Sequence, residues 1–203
     1  MKIKDNKIKK DDLNKIRELL INIDMVNGFI KYGKLADISM MRVVYRQLEL
    51  LKENEQSKYG LNVFVRDEHD IDSIEFKTFP PHCVKGTGEE LVIDEFKELF
   101  NNAYDIPKNS TNFMFAPNTI DLLNNLPNLE KVKIMGCLSE ICVKNGAISA
   151  RCVFDQINKN VEVGVYEYAI DTYNAPGHNQ DEITLSALKD MEANGVKIYR
   201  KER

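Results

Sequence analysis

The feature that most constrains this chain is an alternation of short apolar runs, each with the character of a buried strand, with stretches of helical spacing. The runs are RELLINIDM (17–25), GLNVFVRD (60–67), KVKIMG (131–136), VEVGVYEYAI (161–170) and VKIYR (196–200). Between them ISMMRVVYRQLELLKEN, ELVIDEFKELF, TIDLLNNL and CVKNGAISARCVF carry apolar residues at helical intervals. Strands that are apolar almost throughout are covered on both faces, as in parallel sheets whose crossover helices pack above and below. The alternation therefore predicts an α/β fold of three layers, α/β/α, around a mainly parallel sheet. The chain has 203 residues and no internal repeat, low-complexity tract or long linker. A single domain spanning 1–203 is the expectation. The segment 101–118, NNAYDIPKNSTNFMFAPN, reads as the most loop-like part.

Composition narrows the function. With 28 basic and 32 acidic residues the formal charge is −4, so no basic field exists to hold a nucleic-acid backbone. The lysine-rich start, MKIKDNKIKKDDLNKIR, has interleaved Asp residues and no apolar centre. It reads as a solvated helix or frayed tail rather than a targeting segment. No run approaches the roughly 20 apolar residues of a membrane span. A cytoplasmic protein without nucleic-acid or membrane partners is expected. Cysteines at 83, 137, 142 and 152 are too few and too irregular for a disulfide framework, so reduced thiols are expected.

In open parallel sheets ligands bind where strands end, and polar residues collect there. KIMGCLSEICVKNGAIS (133–149) puts Cys142 in a strand-to-helix turn. If the helix starts near Ser139 or Glu140, its unpaired N–H groups and positive end favour a thiolate there, with a pKa below the ordinary thiol value. Residues 143, 147, 150 and 154 form an apolar stripe beside it, and cysteine also packs well in cores. Both roles stay open on these residues. DEHDIDSIEFKTFPPHC (67–83) gathers Asp67, His69 and His82. Asp67 and His69, two apart on an extended strand end, face the same way, and His82 can join them by loop closure. Such a set suits Zn²⁺, Mn²⁺ or Fe²⁺, yet an acidic loop with stray histidines also explains it. In IDMVNGF (23–29), Asp24 closes a buried strand or caps the next turn. Lys108 is an isolated loop lysine between Pro107 and Asn109.

Taken in order, LLINIDMVNGF, VRDEH, FPPHCVKGTGEEL, PKNSTNFMF and GCLSEICVKNGA resemble the isochorismatase-like cysteine hydrolases, and within them the nicotinamidases. The resemblance runs from about residue 18 to 170, and PPHCVKGT is its most specific piece. It implies a catalytic triad of Asp24, Lys108 and Cys142, with a cis peptide at Cys137–Leu138 that aims the Leu138 and Cys142 N–H groups into an oxyanion hole. It implies one divalent metal, zinc first with manganese or iron as alternatives, on Asp67, His69 and His82. Many nicotinamidases have a further histidine between these; here Glu75 stands in as the fourth ligand. Phe79 replaces the usual tryptophan and, with Phe29 opposite and Leu138 beside it, lines the substrate site. The implied reaction is nicotinamide hydrolysis to nicotinate and ammonia through a thioester, an activity that serves NAD salvage, in a homo-oligomer. Hydrolysis of another small amide or carbamoyl compound, or a non-catalytic ligand-binding role, are the rival readings.

Overall fold

In the computed structural model, which describes residues 10–201, six strands form one sheet: β1 (Glu18–Ile23), β2 (Gly60–Asp67), β3 (Tyr104–Lys108), β4 (Lys131–Cys137), β5 (Glu162–Asp171) and β6 (Lys197–Tyr199). Their order is β3-β2-β1-β4-β5-β6 and every pairing is parallel. The five apolar runs are five of these strands. The sixth, β3, lies inside the segment that reads as loop. Its sequence YDIPK buries alternate residues only and contains a proline, which is tolerated here because β3 is an edge strand.

Side-chain alternation assigns the layers. Leu19, Ile21 and Ile23 of β1 join Leu61, Val63 and Val65 of β2 in one apolar cluster, which includes Leu122 of the helix Pro117–Asn124, Ala147 and Phe154 of Lys144–Gln156, and Met191 of Gln180–Ala193. Leu20, Phe64 and Met135 point the other way, to Val44 and Leu51 of the helix Val44–Gln56 and to Phe96 and Leu99. The sheet is thus covered on both faces, giving the three layers expected. The stripe Val143, Ala147, Ala150 and Phe154 is buried as its spacing predicts. The helix Gln180–Ala193 is an addition to the sequence reading. Asn179 caps it by accepting the Asp181 and Glu182 N–H groups, the signature of a helix start. The lysine-rich N-terminus shows one helical turn at Lys10–Leu13, and residues 1–9 lie outside the described residues. No helix among the described residues is long and apolar enough to cross a membrane.

From β1 the chain builds outward through β2 to β3, then returns to β4 on the other side and builds out to β6. The reversal lies between β1 and β4, and crevices at such points are where open α/β sheets bind ligands. Close approach of these two strands requires Gly136: a Cβ there would lie 2.1 Å from the Ile23 carbonyl oxygen, and its φ is 125°.

Candidate active site

Four strand ends supply the reversal point. Asp24 follows β1 directly, with φ 56°, a left-handed conformation uncommon outside glycine and one that Asp tolerates better than most residues. Its backbone is tied down: its N–H donates to the Val65 carbonyl, its carbonyl accepts from Val26 N–H (both 2.8 Å), and the Cys137 thiol donates to the same carbonyl. Asp67 and Lys108 close β2 and β3 and are register partners. After β4 the Cys137–Leu138 peptide is cis, and the turn Ser139–Val143 is π-helical before the α-helix Lys144–Gln156 begins. In this turn the Leu138 carbonyl accepts the N–H groups of Ile141 and Val143, both at 3.1 Å, and passes over that of Cys142 between them.

These ends converge on one buried ammonium. Lys108 Nζ lies 2.8 Å from Asp24 Oδ2, pairs closely with Asp67 Oδ1, and donates to Cys142 Sγ at 3.6 Å. All four side chains are buried. One cation faces two carboxylates and a thiol, and the carboxylates share it unequally. Burial would raise Asp67, but Lys108 and the two histidines outweigh it and hold the carboxyl well below the ordinary range. Asp24 is left short: burial and the charge of Asp67 push it up to about 7 against the pull of Lys108. Lys108 itself would be lowered by burial, yet the two carboxylates hold it well above its usual value.

The thiol differs from the sequence expectation. Burial pushes Cys142 well above the ordinary thiol value; Lys108 opposes this, and Asp24 and Asp67 add to it. The start of the helix does not make a resting thiolate, because desolvation and two neighbouring carboxylates outweigh it. Cys142 is thus a thiol whose ionisation burial opposes, beside an Asp24 carboxyl pushed up to about 7.

On the far side of Asp67 lies the second group. Ligand atoms of Asp67, His69, Glu75 and His82 all fall within 4.8 Å of one another. His69 Nε2 is 3.7 Å and His82 Nε2 3.5 Å from Asp67 Oδ2. The other ring nitrogens face acceptors: His69 Nδ1 the Asn109 Oδ1 at 2.7 Å, and His82 Nδ1 the Pro80 carbonyl at 2.8 Å. A neutral ring so held keeps its proton on Nδ1 and presents the Nε2 lone pair to the cluster, the tautomer a metal requires. His69 Nε2 is buried without a hydrogen-bond partner. An orphaned lone pair, a second imidazole and two carboxylates make a donor set that fits a divalent cation. Glu75 is half-buried, and burial and then the charge of Asp67 raise its carboxyl.

An inner cavity of about 30 Å³ opens onto this pit, lined by Phe29, Phe79, Leu138 and Cys142 among others. The structure therefore brings together every residue singled out in the sequence. It also adds residues that the sequence reading passed over. Asn109, next to Lys108, orients His69 and is itself held by the Ser73 hydroxyl at 3.0 Å. Glu140, two residues before Cys142, accepts from Ser139 Oγ and Thr172 Oγ1 and lies 3.2 Å from His178 Nε2. Adjacency of Asn109 to Lys108 was the one available signal for the first; Glu140 and His178 are 38 positions apart, with no local pattern joining them.

This fold and pit define a hydrolase class, and the comparisons with known proteins say which. The family model described as the isochorismatase domain matches residues 18–198, and the chain belongs to the isochorismatase family. Its similarities run to the nicotinamidase branch. It is 26% identical over 173 residues, 80% of this chain and 91% of the relative, to the isochorismatase family protein PncA of Bacillus subtilis (strain 168). Among solved structures it resembles the pyrazinamidase of Pyrococcus horikoshii in complex with zinc (26% identity, 91% of this chain and 99% of that one, TM-score 0.71). The pyrazinamidase/nicotinamidase of Streptococcus mutans UA159 shares the fold at 22% identity (90% and 99%, TM-score 0.70). So does the N-carbamoylsarcosine amidase of Thermoplasma acidophilum at 23% (93% and 98%, TM-score 0.72).

Proposed function

We propose that this isochorismatase-family hydrolase is a cysteine amidohydrolase that converts nicotinamide to nicotinate and ammonia through a thioester on Cys142. The observation that carries the reading is the single buried ammonium of Lys108, which touches Asp24, Asp67 and Cys142 at once and so joins base, nucleophile and cation cluster in one pit. Asp24, poised near neutrality, takes the Cys142 proton as the sulfur attacks the amide carbon. The Leu138 and Cys142 N–H groups receive the oxyanion, and Lys108 holds Asp24 and the sulfur in place. When the C–N bond breaks, Asp24 returns the proton to the leaving nitrogen and ammonia departs. A water that gives its proton to Asp24 then attacks the thioester carbon, releasing nicotinate and restoring the thiol.

Phe29 and Phe79 flank the substrate ring at the mouth of the inner cavity, beside Leu138. Asp67, His69, Glu75 and His82 would hold one divalent cation, zinc first with manganese or iron as alternatives. Bound there, it would supply Lewis-acid chemistry toward the substrate ring. The zinc complex of the similar pyrazinamidase supports this choice. A second reading, hydrolysis of a carbamoyl compound, is favoured by the equal fold similarity to N-carbamoylsarcosine amidase.

The test is ammonia release from nicotinamide by the purified protein and by Cys142→Ala, with metal content read on the same samples. The expected result is turnover in the first, none above background in the second, and one divalent ion per chain in both. Undiminished turnover in Cys142→Ala overturns the mechanism. Ammonia from N-carbamoyl amino acids but not from nicotinamide selects the second reading.

A further inference from the structure

Two spaces of very different size meet at the Leu138 turn. The inner cavity reaches Cys142, Asp67 and Glu75 but measures about 30 Å³, room for roughly two waters. That suffices for a carboxamide group and little more. The outer cavity measures about 490 Å³, within the range of small-molecule sites. The two share Leu35, Phe79, Leu138 and Ile141 as lining, so one opens into the other. In the amidase reading above, a ring held between Phe29 and Phe79 would lie at the junction and leave the outer space unfilled.

The outer wall is pre-formed. The Tyr173 ring stacks on His178 with centroids 3.9 Å apart and planes within 8°. His178 is anchored to the Tyr173 carbonyl on one side and Glu140 on the other, at 3.0 and 3.2 Å. Asp37 ties the 34–37 turn to the residue after Tyr173, accepting the N–H groups of Ser39 and Asn174, each at 2.8 Å. That carboxylate is spent on holding the wall. The lining between is mostly apolar, made by Leu35, Ala36, Phe79, Leu138, Ile141 and Tyr173, with Lys34, Asp37 and Asn174 at its polar part. The apolar part gains free energy when a ligand body replaces its water.

We propose that the outer cavity is a second substrate subsite, and that the protein hydrolyses carboxamides whose ring carries a further apolar, aryl-sized body. The inference rests on the amidase reading above. The reacting bond is the same: water adds across the C–N bond of the amide, giving acid and ammonia, while the distal body lies against Tyr173 and Ile141 and does not react.

The experiment compares kcat/KM for nicotinamide, 5-phenylnicotinamide and 6-phenylnicotinamide in the metal-loaded protein, in Ala36→Phe, which fills the recess, and in Tyr173→Ala, which removes one wall. At least one phenyl amide is expected to exceed nicotinamide tenfold or more, through KM. Ala36→Phe should bring that ratio to about one, and Tyr173→Ala should lower it about fivefold. If Ala36→Phe does not fold, the Tyr173→Ala ratio decides alone. Nicotinamide turnover with both phenyl amides at or below it overturns the subsite and leaves the amidase reading standing. So does a ratio that neither variant changes. No ammonia from any of the three substrates, with metal bound, overturns both.

Discussion

Asp24 and Asp171 stand at the same end of the sheet, one just after β1 and one closing β5, and both are fully buried. They differ in what meets them. Asp171 receives a fork of two hydrogen bonds from Arg42, at 2.7 and 2.8 Å, and the Thr172 N–H at 3.0 Å. Its charge is matched, and Arg42 also reaches Asp181, so the pair ties β5 to the helix Gln180–Ala193. Asp24 has only a share in Lys108, whose closer partner is Asp67. Burial is common to both carboxylates. At Asp24 burial and the neighbouring charge of Asp67 outweigh the shared Lys108 and push the carboxyl up to about 7, where it can accept a proton and give it back.

Four measurements bear on this contrast, from the largest effect to the smallest. Asp24→Asn should lower kcat for amide hydrolysis by about 10²–10⁴-fold, the usual worth of a general acid–base group. A loss of less than tenfold would erase the distinction between the two aspartates. Arg42→Ala should do the reverse. It should cost about 3 kcal/mol of stability in denaturant unfolding, the low end for breaking a buried pair because the guanidinium is 45% exposed, while kcat stays within a few-fold. Unchanged stability would make the fork ornamental.

Asn109→Ala tests the far side of the pit. Loss of the Nδ1 partner of His69 should weaken divalent-metal affinity about 10–100-fold in chelator competition, and an unchanged affinity would remove Asn109 from the site. The last measurement is a pH series. If Asp24 must be ionised to act, kcat/KM rises with pH through about 7. Stability moves the other way. The folded state holds the Asp24 proton up to about 7 whereas the unfolded chain releases it near the ordinary aspartate value of 3.8. The unfolded state therefore binds fewer protons between these values, and stability falls as pH rises. Relative to Asp24→Asn, the wild type should lose stability as pH rises from about 4 to about 7 and level off above that. Parallel stability curves would place the titrating group elsewhere.

The two regions also differ in how far the sequence exposed them. Asp24, Asp67 and Cys142 are legible because each stands at the end of an apolar run, His69 and His82 because they gather near Asp67, Lys108 only through a motif in a fixed order, and Glu75 only as the stand-in for a histidine absent from this chain. The Arg42–Asp171 fork spans 129 positions, and nothing local marks either residue. β3 was hidden for a related reason. An edge strand buries one face, so YDIPK lacks the continuous apolar character of the central strands, and its proline argues for a turn. The charge state of Cys142 was misjudged because helix position is visible in a sequence, whereas the desolvation and neighbouring carboxylates that outweigh it arise only from packing.

Lys108 sits on that same edge strand, which pairs with a strand on one side only, β2, and is further held by the packing of Tyr104 and Ile106 and by the Arg66–Asp105 fork. Peripheral elements of this sort open by local fluctuation at a small part of the cost of global unfolding. When β3 frays, Asp24 and Asp67 lose the Lys108 ammonium and the first apolar cluster loses Tyr104 and Ile106, while the central strands and the second cluster stay in place. Function and foldedness should then part company on titration with denaturant: the proposed amide hydrolysis should disappear at concentrations where far-UV circular dichroism still reports a native chain, and amide hydrogen exchange along 104–108 should be faster than along 131–137.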